Sequence, residues 1–183
     1  MYAQLIADFR SRGPLDRSAS EMEALLEASA DTWPNRRLLA SRGSGYARIC
    51  AYQDANFEVL LLNWAPGAVS PIHDHGDQHC WMYVLEGSLE VDDYVRLDSG
   101  DVAGYAHVEW RESRQLGVGE LDSRSGKFDL HRVTAGALPA LSLHVYAGPL
   151  RRFLTYDEPS RRCETSYGRY DDVLFTKLPA VSS

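Results

Sequence analysis

His73 and His75 stand two residues apart, a spacing that can do chemistry. On an extended strand side chains alternate faces, so both imidazoles point one way and Asp74 between them points away. Two imidazoles converging from one strand form a bidentate grip for a metal ion, imidazole being a common metal ligand. The pair alone is a weak signal, but its setting sharpens it. Gly67 precedes His73 by six residues, Gly87 follows Cys80 by seven, and Pro71 leads into the histidines. The stretch GAVSPIHDHGDQHCWMYVLEG, Gly67 to Gly87, reads as strand, site, strand and tight turn. That is the sequence of a small β-barrel with a metal at its mouth. An ordinary solvated hairpin carrying two surface histidines is the alternative.

A third imidazole is available at His131, inside the β-like run Phe128-Asp129-Leu130-His131-Arg132-Val133. Turned inward, it would complete a set of three neutral imidazoles that leaves coordination positions open. A satisfied core histidine is the competing reading. In Leu141-Ser142-Leu143-His144-Val145-Tyr146 the alternation is strict: Ser142, His144 and Tyr146 share one face, the three aliphatic residues the other. Three polar side chains on an inward face are costly unless they bond one another or a ligand, so the row reads as a relay. A simply solvated face is the alternative on pattern alone. Arg48 lies two residues after Tyr46; facing inward, its planar fork would need an anion such as a carboxylate, although a strand arginine alone usually faces solvent. His79 and His107 read as structural or surface residues, and Cys50 and Cys163 as inert thiols.

The elements that must position these residues are mostly strands. Leu5, Ile6 and Phe9 mark a short first helix ended by Gly13-Pro14. Ser20-Glu21-Met22-Glu23 has the form of a capping box for a second helix, closed by Thr32-Trp33-Pro34-Asn35. Residues 1–40 are thus expected as a helical buttress outside the barrel. From Tyr46 onward β-rich runs are broken by turn residues, with strands expected at Tyr46–Tyr52, Phe57–Asn63, Gln78–Leu85, Leu89–Arg96, Val108–Ser113, Lys127–Val133 and Leu141–Tyr146. Even spacing, glycine-containing hairpins and no βαβ alternation argue for a mainly β sandwich or barrel. We expect one domain over 1–183, with the barrel spanning 46–156. Residues 157–183 are read as a C-terminal surface segment holding Cys163 and Tyr170-Asp171-Asp172.

Composition narrows the partners. The 183 residues suit one domain with a sizeable core. A net charge of −7 argues against nucleic acid, which needs a basic surface stripe. No run of about 18 apolar residues is present, so no membrane span is expected, and the N-terminus does not read as a secretory signal. Three cysteines without a CxxC fit a reducing compartment, with the cytoplasm as the expectation. A monomer is expected.

The stretch from Gly67 resembles the first signature of the cupin superfamily, a glycine, five residues, HxH, a carboxylate and a further glycine. This chain has Cys80 where most cupins place a glutamate ligand. With HDH-x4-C, LHRV and SLHVY together, the region from Tyr46 to Leu150 resembles the cysteine dioxygenase type I family. The resemblance implies a jelly-roll barrel in which His73, His75 and His131 bind Fe(II), and Cys80 and Tyr146 form a thioether crosslink. It further implies that Arg48, helped by Tyr46, binds a substrate carboxylate, that Trp64 lines the pocket, and that Ser142 and His144 form an outer relay orienting Tyr146. The implied reaction oxidises L-cysteine with O2 to cysteine sulfinate. Related 3-mercaptopropionate dioxygenases carry Gln at the Arg48 position and Gly at the Cys80 position, so this chain has the cysteine-type residue at both. The same chemistry on 3-mercaptopropionate or another small thiol, and a non-catalytic metal-binding cupin, are the alternatives. The chain departs from animal members after the tyrosine, reading Ala147-Gly148-Pro149 in place of Ser-Pro-Pro.

Overall fold

The structure is a computed structural model that describes residues 2–33, 45–126 and 128–174. Among the described residues twelve strands form two six-stranded sheets: β1 (Tyr46–Gln53), β2 (Glu58–Trp64), β3 (Ile72–His73), β4 (Cys80–Glu86), β5 (Leu89–Arg96), β6 (Val108–Leu116), β7 (Leu121–Arg124), β8 (Leu130–Ala135), β9 (Ala140–Tyr146), β10 (Arg152–Asp157), β11 (Arg162–Tyr167) and β12 (Asp172–Val173). One sheet runs β12-β1-β2-β9-β4-β7 and the other β11-β10-β3-β8-β5-β6. Successive strands thus cross repeatedly between sheets, the connectivity of a jelly roll.

The central strands β2 and β9 are buried along their whole length, because each faces a hydrophobic layer on both sides. Their outward side chains, among them Val59, Leu61, Leu143 and Val145, pack with Leu5, Ile6 and Phe9 of α1 (Tyr2–Ser11) and Met22 and Leu26 of α2 (Ala19–Ser29). Their inward side chains, including Leu60, Leu62, Trp64 and Tyr146, fill the barrel with Cys80, Met82 and Val133. The strict alternation of β9 therefore has no solvated face. Ser142, His144 and Tyr146 are 0 %, 5 % and 3 % exposed. The two helices do pack outside the barrel, against one sheet.

Several boundaries differ from those the sequence suggests. The capping box belongs to Ser18, whose hydroxyl accepts from Glu21 N–H while the Glu21 carboxylate accepts from Ser18 N–H; α2 starts two residues earlier than a cap at Ser20 would place it. After α2 a 3-10 turn spans Ala30–Thr32, and Pro34, Asn35 and Lys127 lie outside the described residues. Five strands, β3, β7, β10, β11 and β12, lie outside the expected set; β3, β7 and β12 have only two to four residues, too few for alternation to stand out. Strand pairing also continues past residue 156. β11 pairs with β10 from Arg152↔Tyr167 to Asp157↔Arg162, and β12 runs parallel to β1. Through residue 174 the C-terminal segment is therefore part of both sheets and not only surface. Polar residues there suit an edge position, where one face of the strand is wet.

Candidate metal centre

The two-histidine motif does not lie on one continuous strand. β3 ends at His73, and Asp74 bends the chain through Gly76 (φ +57°) and Asp77 (φ +69°). Asp74 does point away from the imidazoles, but into the core, at 2 % exposure. Its Oδ1 accepts from the N–H groups of Gly76 (3.0 Å) and Leu154 (2.9 Å), and its Oδ2 from the Tyr156 hydroxyl (2.7 Å). Gly76 is required there, since a Cβ would overlap the Arg152 carbonyl oxygen besides meeting a left-handed backbone. This turn delivers His75 beside His73.

His131 comes from the adjacent strand, because β3 pairs β8 in the register His73↔His131. The ring centroids of His73, His75 and His131 lie 5.1, 4.7 and 4.9 Å apart in pairs. Their candidate ligand nitrogens all lie within 4.8 Å of one another. Burial, then the neighbouring imidazoles, pushes the His73 and His75 pKa values well down. Burial also lowers His131. All three are therefore neutral, the form that ligates a metal.

Second contacts fix which nitrogen points inward. His73 Nδ1 sits 2.9 Å from the Pro71 carbonyl oxygen, so that nitrogen carries the proton and Nε2 is the free donor. His131 Nδ1 faces Asp122 Oδ2 at 3.4 Å. Asp122 is 2 % exposed and is gripped by Arg124 at 2.8 and 3.0 Å and by Arg114 at 2.7 Å. Burial alone would raise its pKa, but the facing His131 imidazole and the Arg124 charge win and hold it far below the ordinary carboxylate range. A carboxylate behind a ligating imidazole fixes its tautomer and orientation. His75 Nδ1 is buried without a hydrogen-bond partner. Three neutral imidazoles converging in this way fit a divalent transition metal.

The imidazoles line one pocket, with Tyr46, Arg48, Trp64, His144, Tyr146 and Phe153 on its other walls. Cys80 and Tyr146 are direct cross-strand neighbours on β4 and β9, 1 % and 3 % exposed. Burial, then the Asp122 charge, raises the Cys80 thiol, so it is protonated. Burial, then Cys80, likewise raises the Tyr146 phenol. Behind them runs a chain of contacts. Trp64 Nε1–H donates to Ser142 Oγ (2.9 Å), which lies 2.9 Å from His144 Nε2. His144 Nδ1 stands 4.0 Å from Cys80 Sγ, and its ring is parallel to Tyr146 at a centroid distance of 6.1 Å.

Farther along the same sheet the Tyr46 ring stacks on Trp64 at 4.6 Å. Arg48 places Nε and Nη2 in buried positions with no hydrogen-bond partner. Its backbone is pinned by the C-terminal segment: Arg48 N–H donates to Asp171 Oδ2 (2.7 Å) and Asp171 N–H to the Arg48 carbonyl (2.8 Å). Every residue singled out in the sequence as ligand, relay or substrate contact thus lies in or directly against one pocket. His79, stacked on Trp81 at 4.1 Å, and His107, 3.4 Å from Glu109, lie elsewhere. Sequence reading missed Asp122, Asp74 with Tyr156, and Glu58 and Tyr170, which meet behind Arg48. The alternation of Leu121-Asp122-Ser123-Arg124 was a usable signal for the first; the others depend on long-range contacts that leave no local pattern.

The family model described as cysteine dioxygenase type I matches residues 5–159. Among curated relatives, cysteine dioxygenase type 1 of Danio rerio is 29 % identical over 133 residues, 72 % of this chain and 60 % of the relative. The Homo sapiens protein of the same name is 26 % identical over 140 residues, 74 % of this chain and 62 % of that one. The chain therefore matches less than two thirds of the length of these relatives. Among solved structures, a cupin superfamily protein from Desulfitobacterium hafniense aligns with 12 % identity and a TM-score of 0.48, over 64 % of this chain and 90 % of that one. With a family match across most of its length, this chain belongs to the cysteine dioxygenase type I family.

Proposed function

We propose that this protein is an Fe(II)-dependent thiol dioxygenase that converts L-cysteine and O2 to cysteine sulfinate, both oxygen atoms ending on sulfur. The observation that carries the reading is the pairing, in one pocket, of a three-imidazole site with the Arg48 guanidinium, whose buried Nε and Nη2 have no hydrogen-bond partner. A metal held by His73, His75 and His131 would supply a place where a thiolate and O2 are brought together. Because all three ligands are neutral, the ion keeps its full charge for an anionic sulfur. Arg48 then takes the carboxylate as a charge-assisted pair, which fixes the direction in which the thiol enters.

We assign the relay with Ser142 Oγ accepting from Trp64 and giving its own proton to His144 Nε2. His144, whose pKa burial pushes down to about 3, is neutral and keeps its proton on Nδ1, aimed at Cys80. The row thus holds the sulfur and ring of the Cys80–Tyr146 pair in place. Cys80 and Tyr146 are proposed to form a thioether: one C–S bond replaces an S–H and a ring C–H, and O2 accepts the two electrons and two protons.

No carboxylate lines the pocket among the described residues, so no anionic side chain there selects for an amino group. That leaves 3-mercaptopropionate as a second candidate substrate, and relative kcat/KM for the two thiols decides between them. The reading is tested by anaerobic Fe(II) reconstitution and oxygen uptake on a panel of small thiols. Sulfinate formation from a carboxylate thiol is expected; metal binding without uptake on any thiol would leave a non-catalytic cupin. The three free, buried cysteines accord with a reducing compartment, and the cytoplasm is the proposed location. Among the described residues no helix is long and apolar enough to cross a membrane.

A further inference from the structure

One buried acid behind the pocket has no task in this mechanism. Glu58 opens β2 with a side chain that is 0 % exposed, on the inner face and directly opposite Tyr146 in the β2–β9 ladder. A buried carboxylate is costly unless its lone pairs and charge are met. One oxygen is met, since Oε2 accepts from the Tyr170 hydroxyl at 2.5 Å. Burial, then Glu58 itself, raises the Tyr170 phenol, which therefore stays a donor. The other oxygen, Oε1, is buried with no hydrogen-bond partner. It faces Nη2 of Arg48 across 3.9 Å, beyond hydrogen-bond length. Arg48 lines the pocket and Glu58 does not, so the acid stands behind the arginine.

We propose that Glu58 sets the substrate selectivity of the pocket, as a fixed counter-charge that shares Arg48 with the carboxylate of the bound thiol. This rests on Arg48 being the carboxylate contact of the proposed function. A lone buried guanidinium would hold a carboxylate thiol tightly and discriminate strongly against thiols without one. With Glu58 behind it, an incoming carboxylate meets an arginine already partly neutralised and a like charge on its far side. Two carboxylates flanking one guanidinium, at the effective dielectric of a partly buried site, repel by an amount worth about tenfold in a binding constant. Glu58 therefore widens the range of thiols admitted, at the expense of affinity for carboxylate ones. Tyr170, delivered by the C-terminal segment, keeps the acid in place.

The test reads binding without turnover. Full-length protein loaded with redox-inert Zn(II) is titrated with 3-mercaptopropionate, which carries a carboxylate, and 2-mercaptoethanol, which does not. Glu58→Gln keeps the side-chain shape and an oxygen for Tyr170 while removing the charge. It is expected to tighten 3-mercaptopropionate binding about tenfold and to leave 2-mercaptoethanol within twofold. An unchanged or lowered preference for the carboxylate thiol overturns the proposal. The same comparison between Arg48→Gln and the Arg48→Gln/Glu58→Gln double variant keeps the test open should the single glutamate variant not fold. The repulsion persists without the arginine, so the double variant is expected to bind 3-mercaptopropionate more tightly than Arg48→Gln. If Arg48→Gln weakens the carboxylate thiol but Glu58→Gln shifts nothing, only this proposal falls. If Arg48→Gln also shifts nothing, the carboxylate contact in the proposed function falls with it.

Discussion

Cys80 is a buried thiol, and most buried thiols are inert core residues. What separates it from Cys50, whose pKa burial and then Glu58 raise to about 11, is its neighbour. Cys80 stands directly across from Tyr146, while Cys50 stands across from Leu60. The proposed crosslink therefore has a distinct signature: reconstituted protein exposed to thiol and O2 should show a faster-migrating band on denaturing gels, absent in Cys80→Ser. One band in both proteins would return Cys80 to the core. Asp122 gives a second prediction. Asp122→Asn keeps the shape but removes the acceptor charge behind His131, and is expected to weaken Co(II) or Fe(II) affinity by about 10- to 100-fold. Metal titration of the purified apoprotein reads this directly, and an unchanged affinity would make Asp122 part of the Arg124 ion-pair network alone.

Among the elements, β9 and the C-terminal segment contribute in opposite ways. β9 is central, hydrogen-bonded to β2 on one side and β4 on the other, and its alternation alone sorts Ser142, His144 and Tyr146 inward. That sorting was legible in the sequence, because a strand's period of two leaves few choices once one face must be buried. The C-terminal segment was not legible. Its residues are polar, its strands are short, and its partners lie far away in the chain. Asp171 nonetheless brackets the backbone of Arg48 with two hydrogen bonds. Asp171→Ala removes the side-chain one, for an expected loss of about 1 kcal/mol of stability. Because β1 then holds Arg48 less firmly, KM for a carboxylate thiol should rise about threefold with kcat little changed. Thermal unfolding and steady-state kinetics check the two halves. A fall in kcat at constant KM would place the segment's role elsewhere.

For the whole molecule, the pocket's burial makes stability depend on pH. His144 titrates near 6.5 when unfolded and is held down to about 3 when folded, by burial first and then by the Arg48 charge. Between those values the unfolded chain binds a proton that the folded chain does not. Stability is therefore full above pH 6.5 and falls as pH drops through the window, by up to about 1.4 kcal/mol per unit for this one group. Asp122, with its depressed folded pKa, adds a further loss only below about pH 4, where the unfolded carboxyl takes up its proton. Urea unfolding of the metal-free protein at pH 7, 6 and 5 should show the decline, with a shallower slope in His144→Asn. An identical slope would assign the proton to another buried histidine.

Local spacing by itself determined the chemistry available to this chain: HDH, the inward row of β9 and the cysteine at position 80 are short-range patterns that a strand's geometry interprets. It also narrowed the fold to a mainly β sandwich or barrel, since evenly spaced short strands with glycine turns have few other ways to bury their apolar faces. Only tertiary structure decided what stands behind those residues. The His73↔His131 register, the turn that Asp74 and Tyr156 hold under His75, the Asp122 carboxylate at His131 and the pairing of Glu58 with Tyr170 behind Arg48 all join residues distant in sequence. Charges and hydrogen bonds act through space, and a one-dimensional pattern records them only when the partners share an element.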